Sequence, residues 1–294
     1  MEEVLYCYDG SFDGFLCCVF ESYASRERPA AIVREEDLEP TLFSTRQIVT
    51  DAGHARRVSA KIRQLSPEAA RLLRRGFLTC MPDREIRLYR LIGKLLKEGP
   101  GFLQDLSDET LYPVLKAVRF LAAEVEKLRG VVRFSDFDGV LVSEIEPKNR
   151  VLPVLRSHFC TRFQNEKFMI YDRTHREALF YAGQTASILP LEHFRMAAPD
   201  RTEASFRVLW KRFYDTIAIP ERNNPRCQNT HLPKRYRGMM TEFQAPSYFQ
   251  AARVTQPHLP ESSPADGPVP FSPDGRSEPG TRPLPGPSAP GSAP

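Results

Sequence analysis

His158, Asp172 and His175 are the candidates in this sequence for an acid, a base or a metal ligand. His158 lies in a segment that predicts a helix and has Arg162 four residues later, so the two share a face and could bind one phosphate. A half-buried structural histidine is the competing interpretation. Asp172 ends a predicted strand, where its carboxylate would cap a turn more readily than act as a general base. His175 falls at the tip of the same predicted hairpin, where we expect it to be solvated unless that tip enters a groove.

The sequence predicts neither a metal site nor a cofactor. Its six cysteines include no Cys-x-x-Cys pair, and its histidines show no His-x-x-x-His or His-Glu-x-x-His spacing. It also has no Walker loop and no Gly-x-Gly-x-x-Gly turn. A radical-SAM cluster needs three closely spaced cysteines, so any such chemistry would have to reside in another chain. We interpret the cysteines as reduced thiols.

Positive charge is concentrated in the second half of the chain. The net charge of the whole sequence is +4, but residues 148–240 carry 17 Lys and Arg against 8 Asp and Glu, a surplus of nine positive charges. Such a surplus attracts polyanions, because neutralising phosphates releases their condensed counterions. A well-solvated basic surface is the alternative interpretation.

Basic and aromatic residues within this half could hold nucleic acid. The candidates are Arg156, His158, Arg162, Arg173, Arg176, Lys211, Arg212, Arg222, Lys234, Arg235 and Tyr236. Tyr236 stands between cations and is the best candidate for stacking on a base. A packed connector whose arginines pair with nearby acids remains the alternative for the segments around Arg222 and Tyr236.

A helix is predicted from Thr202 to Ile219, with one apolar stripe. The stripe consists of Phe206, Leu209, Trp210, Phe213 and Ile217. We expect this stripe to lie in the core, with a base-stacking platform at Trp210 as the alternative. Arg207, Lys211 and Arg212 flank it.

The start of the chain indicates an α/β arrangement. A strand from Glu3 to Asp9 is followed by a helix to about Tyr23, and short strands are predicted near 31–33 and 46–50. Ser11 is expected to cap the first helix, although the same turn could hold a phosphate.

Helical periodicity dominates the chain from Asp51 to Arg129. Segments are predicted near 52–64, 67–79, 83–97 and 108–129, with Gly99 and Gly130 as two C-terminal stops. The apolar stripe of the last helix predicts core packing. Basic residues on the first two helices could contact phosphates or simply be solvated: Arg56, Arg57, Lys61, Arg63, Arg71, Arg74 and Arg75.

A β-β-α-β-β module is predicted next. Its strands are expected at 131–134, 140–145, 167–172 and 177–182, around a helix from about Val151 to Phe163. The fold class is therefore α+β: a small N-terminal α/β element, a central helical segment, this module and C-terminal helices. Residues 1–250 are expected to form one compact domain, divisible into lobes at 1–130 and 131–250.

The last segment, from about Ala251 to Pro294, is rich in Pro, Gly and Ser and predicts a disordered tail covering 251–294. The N-terminus lacks the features of a signal peptide, and no run of about 18 apolar residues occurs. We therefore expect a cytoplasmic protein that makes no membrane contact.

Several short motifs carry a resemblance to a known family. They are Tyr8 to Leu16, Val132 to Phe137, Val151 to Pro153, His158-Phe159, Arg162-Phe163, Ile170 to Asp172, Trp210 to Tyr214, Glu221 to Asn223 and Pro233 to Tyr236. With these motifs the chain resembles, over roughly Val4 to Phe243, a bacterial family of unknown biochemical activity whose members are described as DNA metabolism or DNA repair proteins.

What the resemblance implies is a role beside damaged or modified DNA. Members of that family are encoded beside a radical-SAM protein resembling DNA-repair enzymes, and related domains are fused to uracil-DNA-glycosylase-like proteins. We therefore expect a DNA-binding accessory protein that acts with a radical-SAM-type partner enzyme. One alternative is a nucleic-acid-processing enzyme, such as a base-processing hydrolase, with its site near His158 and Asp172. Another is a protein-interaction adaptor whose basic face meets an acidic protein.

Overall fold

The structure is a computed structural model, and it describes residues 4–244. The predicted disordered tail lies outside the described residues.

A three-stranded parallel sheet forms the start of the chain. Its strands and the helix between the first two are β1 (Val4–Tyr8), α1 (Phe12–Ala24), β2 (Pro29–Arg34) and β3 (Ser44–Gln47). The strand order is β2-β1-β3, so β1 is central and pairs in parallel with both neighbours. Ser11 caps α1 as predicted, since its hydroxyl accepts a hydrogen bond from the Gly14 amide at 2.9 Å.

Four helices follow this sheet. They are α2 (Ala52–Leu65), α3 (Pro67–Phe77), α4 (Arg84–Glu98) and α5 (Leu111–Val131). Ser66 caps α3, where Pro67 occupies the first turn, and Gly99 ends α4 at a φ of 76°. These bounds confirm the four predicted helices to within a few residues.

The helix α5 contributes to two hydrophobic cores. Leu111 and Val114, in its first turns, join a core built from β1, α1 and the helices α2 to α4. Leu121, Val125 and Leu128, further along, join a second core beneath the following sheet. The predicted apolar stripe of this helix is therefore buried over most of its length, with Ala122 exposed, and its two halves face different sets of partners.

A five-stranded sheet makes up the second half of the described chain. Its elements are β4 (Ser135–Phe137), β5 (Val140–Ile145), α6 (Leu152–Arg162), β6 (Lys167–Asp172), β7 (Glu177–Ala182) and β8 (Thr185–Pro190). The strands lie in sequence order, and every pair is antiparallel except β5–β6. The parallel pair needs a crossover connection, which α6 provides.

Two details of the predicted module are wrong. The structure adds β8, which pairs with β7 around a two-residue turn whose residues, Gly183 and Gln184, both have positive φ. The first strand also begins later than expected, because α5 continues past Gly130 to Val131 and packs Val131 against the second core. The mixed α+β class itself is confirmed.

Three α-helices and two 3-10 turns complete the described residues. They are α7 (Arg201–Ile217), the turn Pro220–Arg222, α8 (Pro225–His231), α9 (Lys234–Arg237) and the turn Thr241–Phe243. Of the helices between residues 4 and 244, none combines the length and the apolar character needed to cross a bilayer.

Candidate nucleic-acid interface

The apolar stripe of α7 lies on the surface, so the prediction that it is core is wrong. Phe206 is 62% exposed, Leu209 60%, Trp210 38%, Phe213 52% and Ile217 58%. Large apolar side chains that stand together on a surface mark interaction sites, whereas single ones need no explanation. The stripe is therefore a candidate binding surface, which we call the α7 face.

The helix α7 faces the protein with polar side chains instead. Arg207 donates to the Glu203 carboxylate at 2.7 Å and to the Ser135 hydroxyl at 2.5 Å, and both charged residues are buried. The second Glu203 oxygen accepts from the Asp136 amide at 3.3 Å. The helix is thus attached to β4 through a buried ion pair, and this attachment leaves its apolar side in solvent.

Trp210 is held in a fixed orientation at the centre of the α7 face. Its indole Nε1–H donates to Glu242 at 3.1 Å, and Arg133 donates to the other oxygen of the same carboxylate at 2.8 Å. The Arg133 guanidinium also lies 5.5 Å from the centre of the indole ring. An aromatic ring fixed in this way loses little conformational entropy when a ligand stacks on it.

Glu242 is the anionic anchor of this arrangement. Burial by itself would raise the pKa of its carboxyl group, but hydrogen bonds from its own backbone amide, from Arg133 and from Trp210 outweigh burial, and the pKa lies below its ordinary value. The side chain is therefore ionised at neutral pH. It ties the indole of α7 to the 3-10 turn at Thr241–Phe243.

A groove of about 740 Å³ runs beside Trp210. It is formed by α7, by the end of α5 with the segment that joins it to β4, and by the 3-10 turn at Thr241–Phe243. The residues that line it are Gly130, Arg133, Phe134, Glu203, Phe206, Arg207, Leu209, Trp210, Phe213 and Thr241. Trp210 and Phe213 lie 5.7 Å apart between ring centres and are tilted by 32°. Consecutive unstacked bases could lie along such a row of rings, since stacking tolerates any base.

Two further predicted contact residues, Lys211 and Arg212, lie on α7 outside the α7 face. Lys211 is paired with Asp215 at 2.5 Å, four residues later on the same helix. Arg212, next to it, makes no ion pair within residues 4–244, and both cations line a shallow depression with Val208. A phosphate could therefore reach Arg212 directly but would compete with Asp215 for Lys211.

Tyr236 does not lie on the surface, so its ring is not available to stack on a base. It is 4% exposed, and its hydroxyl donates to Glu124 at 2.9 Å. Burial and the neighbouring Glu124 raise the pKa of Tyr236 to about 12. Arg235 donates to the same carboxylate at 2.8 Å, so here the alternative of a packed connector describes the structure. Lys234, beside them, is exposed.

Arg222 and the hairpin-tip arginines have different surroundings. Arg222 and Arg173 are exposed and form no ion pair in the described part of the chain. Arg176 pairs with Glu192 at 3.2 Å across an exposed surface. The structure thus leaves Arg173 and Arg222 available for an anion, although neither of them lines the groove beside Trp210.

Asp172 caps the hairpin turn, as the favoured interpretation has it. One carboxylate oxygen accepts from the backbone amides of Thr174 and His175, and the other lies 2.7 Å from the His175 Nδ1 atom. The Asp172 side chain is fully buried. The carboxylate therefore orients the His175 ring, and His175 is less solvated than expected for a hairpin tip.

His158 is partly buried on α6, between Arg156 and Arg162, which are both exposed. Its Nε2 atom is buried and has no partner among the described residues. Burial and, after it, the charges of Arg129 and Arg162 lower the pKa of His158, against a smaller opposite effect of Glu126. A neutral imidazole adds no charge to a phosphate site.

The lowered pKa predicts that His158 makes the protein sensitive to acid. Below a pH of about 6.5 the unfolded chain binds a proton at His158 and the folded chain does not. The contribution of neutral His158 to the free energy of unfolding is therefore complete above about pH 6.5 and declines as the pH falls towards the folded pKa. We expect His158→Gln to lose less unfolding free energy than the wild type between about pH 7 and 5. Urea unfolding at both pH values measures this, and equal losses in the two proteins would contradict it.

Clusters of three or more His, Cys, Asp or Glu side chains suited to a metal ion do not occur within residues 4–244.

Sequence reasoning missed two residues of the site, Arg133 and Glu242. They fix Trp210 although both are far from it in sequence. No local pattern connects these three positions.

Comparison with known proteins gives one match. A protein-family model described as a domain of unknown function (DUF4130) matches residues 82–242. The matched region contains α7 and its partners but begins after β1 to α3, although the resemblance was expected to start near Val4. No curated protein and no solved structure matches this sequence.

Proposed function

We propose that this chain, which belongs to the DUF4130 family of domains of unknown function, binds single-stranded DNA along the α7 face and acts as an accessory to a DNA-processing enzyme. One observation carries the proposal: the exposed aromatic row of α7, with Trp210 fixed by Glu242 and Arg133. Proteins that bind single strands combine such rings with cations that follow the phosphate backbone.

The surroundings of the aromatic row support a polyanionic ligand. Arg133 lies in the groove beside Trp210, and Arg212, elsewhere on α7, makes no ion pair among the described residues. The positive surplus of residues 148–240 adds a long-range attraction that would speed association with DNA. Bases would thus contact the rings while phosphates reach Arg133 and, further round the helix, Arg212.

The resemblance to proteins described as DNA metabolism or DNA repair proteins favours DNA over RNA as the strand. It also suggests the partner, a radical-SAM-type enzyme that would act on the DNA held by this chain. An accessory function fits the contacts of Asp172. Both of its carboxylate oxygens already bind the hairpin turn and His175, so neither is directed at a substrate as a general base would be. The proposed division of labour is that this chain holds an unpaired strand and the partner carries out the reaction.

The single tryptophan of the chain provides the test. Because Trp210 is the only tryptophan in the sequence, its fluorescence reports on the α7 face alone. Oligothymidylate is expected to quench this emission, and blunt duplex of equal length to quench it far less, because its bases are already stacked. The apparent affinity should fall steeply as salt increases.

Polyglutamate serves as the control for charge alone. It carries negative charge but no bases, so it should leave the Trp210 emission unchanged. Quenching by polyglutamate equal to that by oligothymidylate would indicate an acidic protein ligand and contradict the proposal. Unchanged emission together with no detectable DNA binding at low salt would also contradict it.

A further inference from the structure

A second groove, remote in sequence from α7, lies between the loop that joins α3 to α4 and the outer side of α5. Its volume is about 630 Å³. It is lined by Thr79, Cys80, Met81, Pro82, Arg87, Pro113, Lys116, Ala117, Arg119, Phe120 and Asn149. We call it the α5 groove. The function proposed for the α7 face does not use it.

The walls of the α5 groove are apolar. Met81, Pro82, Pro113 and Ala117 form its sides, and Phe120 projects into solvent with 46% of its surface exposed. Phe120 is the single aromatic residue of this lining, so the groove lacks the row of rings that holds unpaired bases. Aliphatic and proline surfaces suit the apolar side chains of another protein better.

Hydrogen bonds hold the loop of the α5 groove in place. The Cys80 amide donates to the Asn149 side chain at 2.9 Å, and the Thr79 hydroxyl donates to the Gly76 carbonyl at 2.6 Å. Arg87 Nε donates to the Pro82 carbonyl at 3.1 Å. Because these contacts lie within the chain, they hold the loop in place, and docking would cost little conformational entropy there.

The charge of the lining identifies the kind of partner. Arg87, Lys116 and Arg119 border the apolar walls, and the lining contains no carboxylate. Lys116 and Arg119 form no ion pair with any residue in the described range, so their charges are uncompensated. A segment that presents carboxylates around apolar side chains is electrostatically complementary to this rim, and such complementarity favours specificity and fast association.

We propose that the α5 groove docks an acidic protein segment, in which two or three bulky apolar side chains are flanked by Asp or Glu. The apolar side chains fill the space between Met81 and Phe120, and the flanking carboxylates pair with Lys116 and Arg119. The proposal stands independently of DNA binding by the α7 face, because the two surfaces share no lining residue.

A labelled synthetic peptide tests this docking. The probe is a helix-forming peptide with Leu and Phe at helical spacing and Glu at the flanking positions, and a matched peptide carries Gln in place of every Glu. We expect the acidic peptide to bind the full chain with a micromolar Kd by fluorescence anisotropy, and the Gln peptide to bind about tenfold more weakly. Trp210 emission should not change.

Two variants locate the site. Phe120→Asp places a negative charge on the apolar wall, and Lys116→Glu with Arg119→Glu reverses the charge of the rim. Both variants should bind the acidic peptide at least about tenfold more weakly. Arg63→Glu with Arg71→Glu changes the net charge as much as the rim variant does, at exposed positions outside the groove, and should leave binding unchanged. Because these are surface positions, circular dichroism should show unchanged folding in all three proteins.

The Cys80 thiol gives a second readout. Cys80 is exposed and lies in the groove, whereas Cys227 is exposed elsewhere, so docking should slow alkylation of Cys80 and not of Cys227. Equal binding of the acidic and Gln peptides, or full binding by the rim-reversed variant, would overturn the proposal. Protection of Cys80 by oligothymidylate instead of the peptide would also overturn it and would identify the groove as a DNA contact.

Discussion

Replacing Trp210 and Phe213 together by alanine is expected to weaken binding of oligothymidylate by about 25-fold or more, since each stacked base contributes about 1 to 3 kcal/mol. Phe213 is 52% exposed and Trp210 38%, and circular dichroism of the double variant checks that loss of the Trp210–Glu242 hydrogen bond leaves the fold intact. Anisotropy of a labelled strand measures the affinity, because the double variant has no tryptophan. The slope of affinity against salt should stay the same, because no phosphate contact is removed.

Tyr112→Ala is the matched control for this variant. Tyr112 is an exposed aromatic residue on α5 and lies outside the groove beside Trp210. Its replacement should leave DNA affinity unchanged.

Arg212→Ala removes a phosphate contact instead of a ring. It should make the affinity depend less steeply on salt and should weaken binding less than the double variant does. A double variant that binds as tightly as the wild type would remove the α7 face from the DNA-binding surface.

Replacing Glu124 by alanine is expected to lower the free energy of unfolding by about 3 kcal/mol or more, since each buried donor left without an acceptor costs about 1 to 3 kcal/mol. Glu124 is 2% exposed on α5 and accepts hydrogen bonds at 2.6 to 3.1 Å from Lys148, Asn149, Arg235 and Tyr236. Its loss leaves several buried donors without an acceptor. Urea unfolding followed by circular dichroism measures the change.

Two milder variants bracket the effect of Glu124→Ala. Tyr236→Phe removes one of the hydrogen bonds and should lower the free energy of unfolding by about 1 kcal/mol. Glu126→Ala removes an exposed carboxylate two residues away and should change it by less than about 0.5 kcal/mol. A Glu124→Ala protein as stable as the Glu126→Ala protein would show that α9 does not depend on this anchor.

Local sequence patterns predicted most element bounds and the buried stripe of α5, but they assigned the wrong burial to α7. The hairpin strands at 167–172 and 177–182 agree with the structure because alternating apolar residues and the turn between them are local signals. The α7 stripe was recognised but assigned to the core. Periodicity locates an apolar face without saying what covers it, and the attachment of α7 depends on Ser135, which lies 72 residues from Arg207.

The incorrect stacking prediction for Tyr236 has a similar cause. A tyrosine between two arginines suggests a surface for nucleic acid, and only the position of Glu124, 112 residues away, shows that the ring is buried. β8 was missed for a local reason. Its turn, Gly183-Gln184, lacks the Asn-Gly or Asp-Gly pair that signals a two-residue hairpin, and the strand ends at Pro190 on the edge of the sheet.

The core that α4 and α5 share with the start of the chain crosses the boundary of the matched region. The matched region starts at residue 82, yet the buried leucines 88, 91 and 95 of α4 pack in one cluster with Phe15, Leu73 and Phe77, which precede that boundary. A fragment beginning at residue 82 would expose one side of α4 and the first turns of α5 to water. The stretch recognised by similarity is therefore not a self-sufficient folding unit in this protein, and the segment before it is needed to complete it.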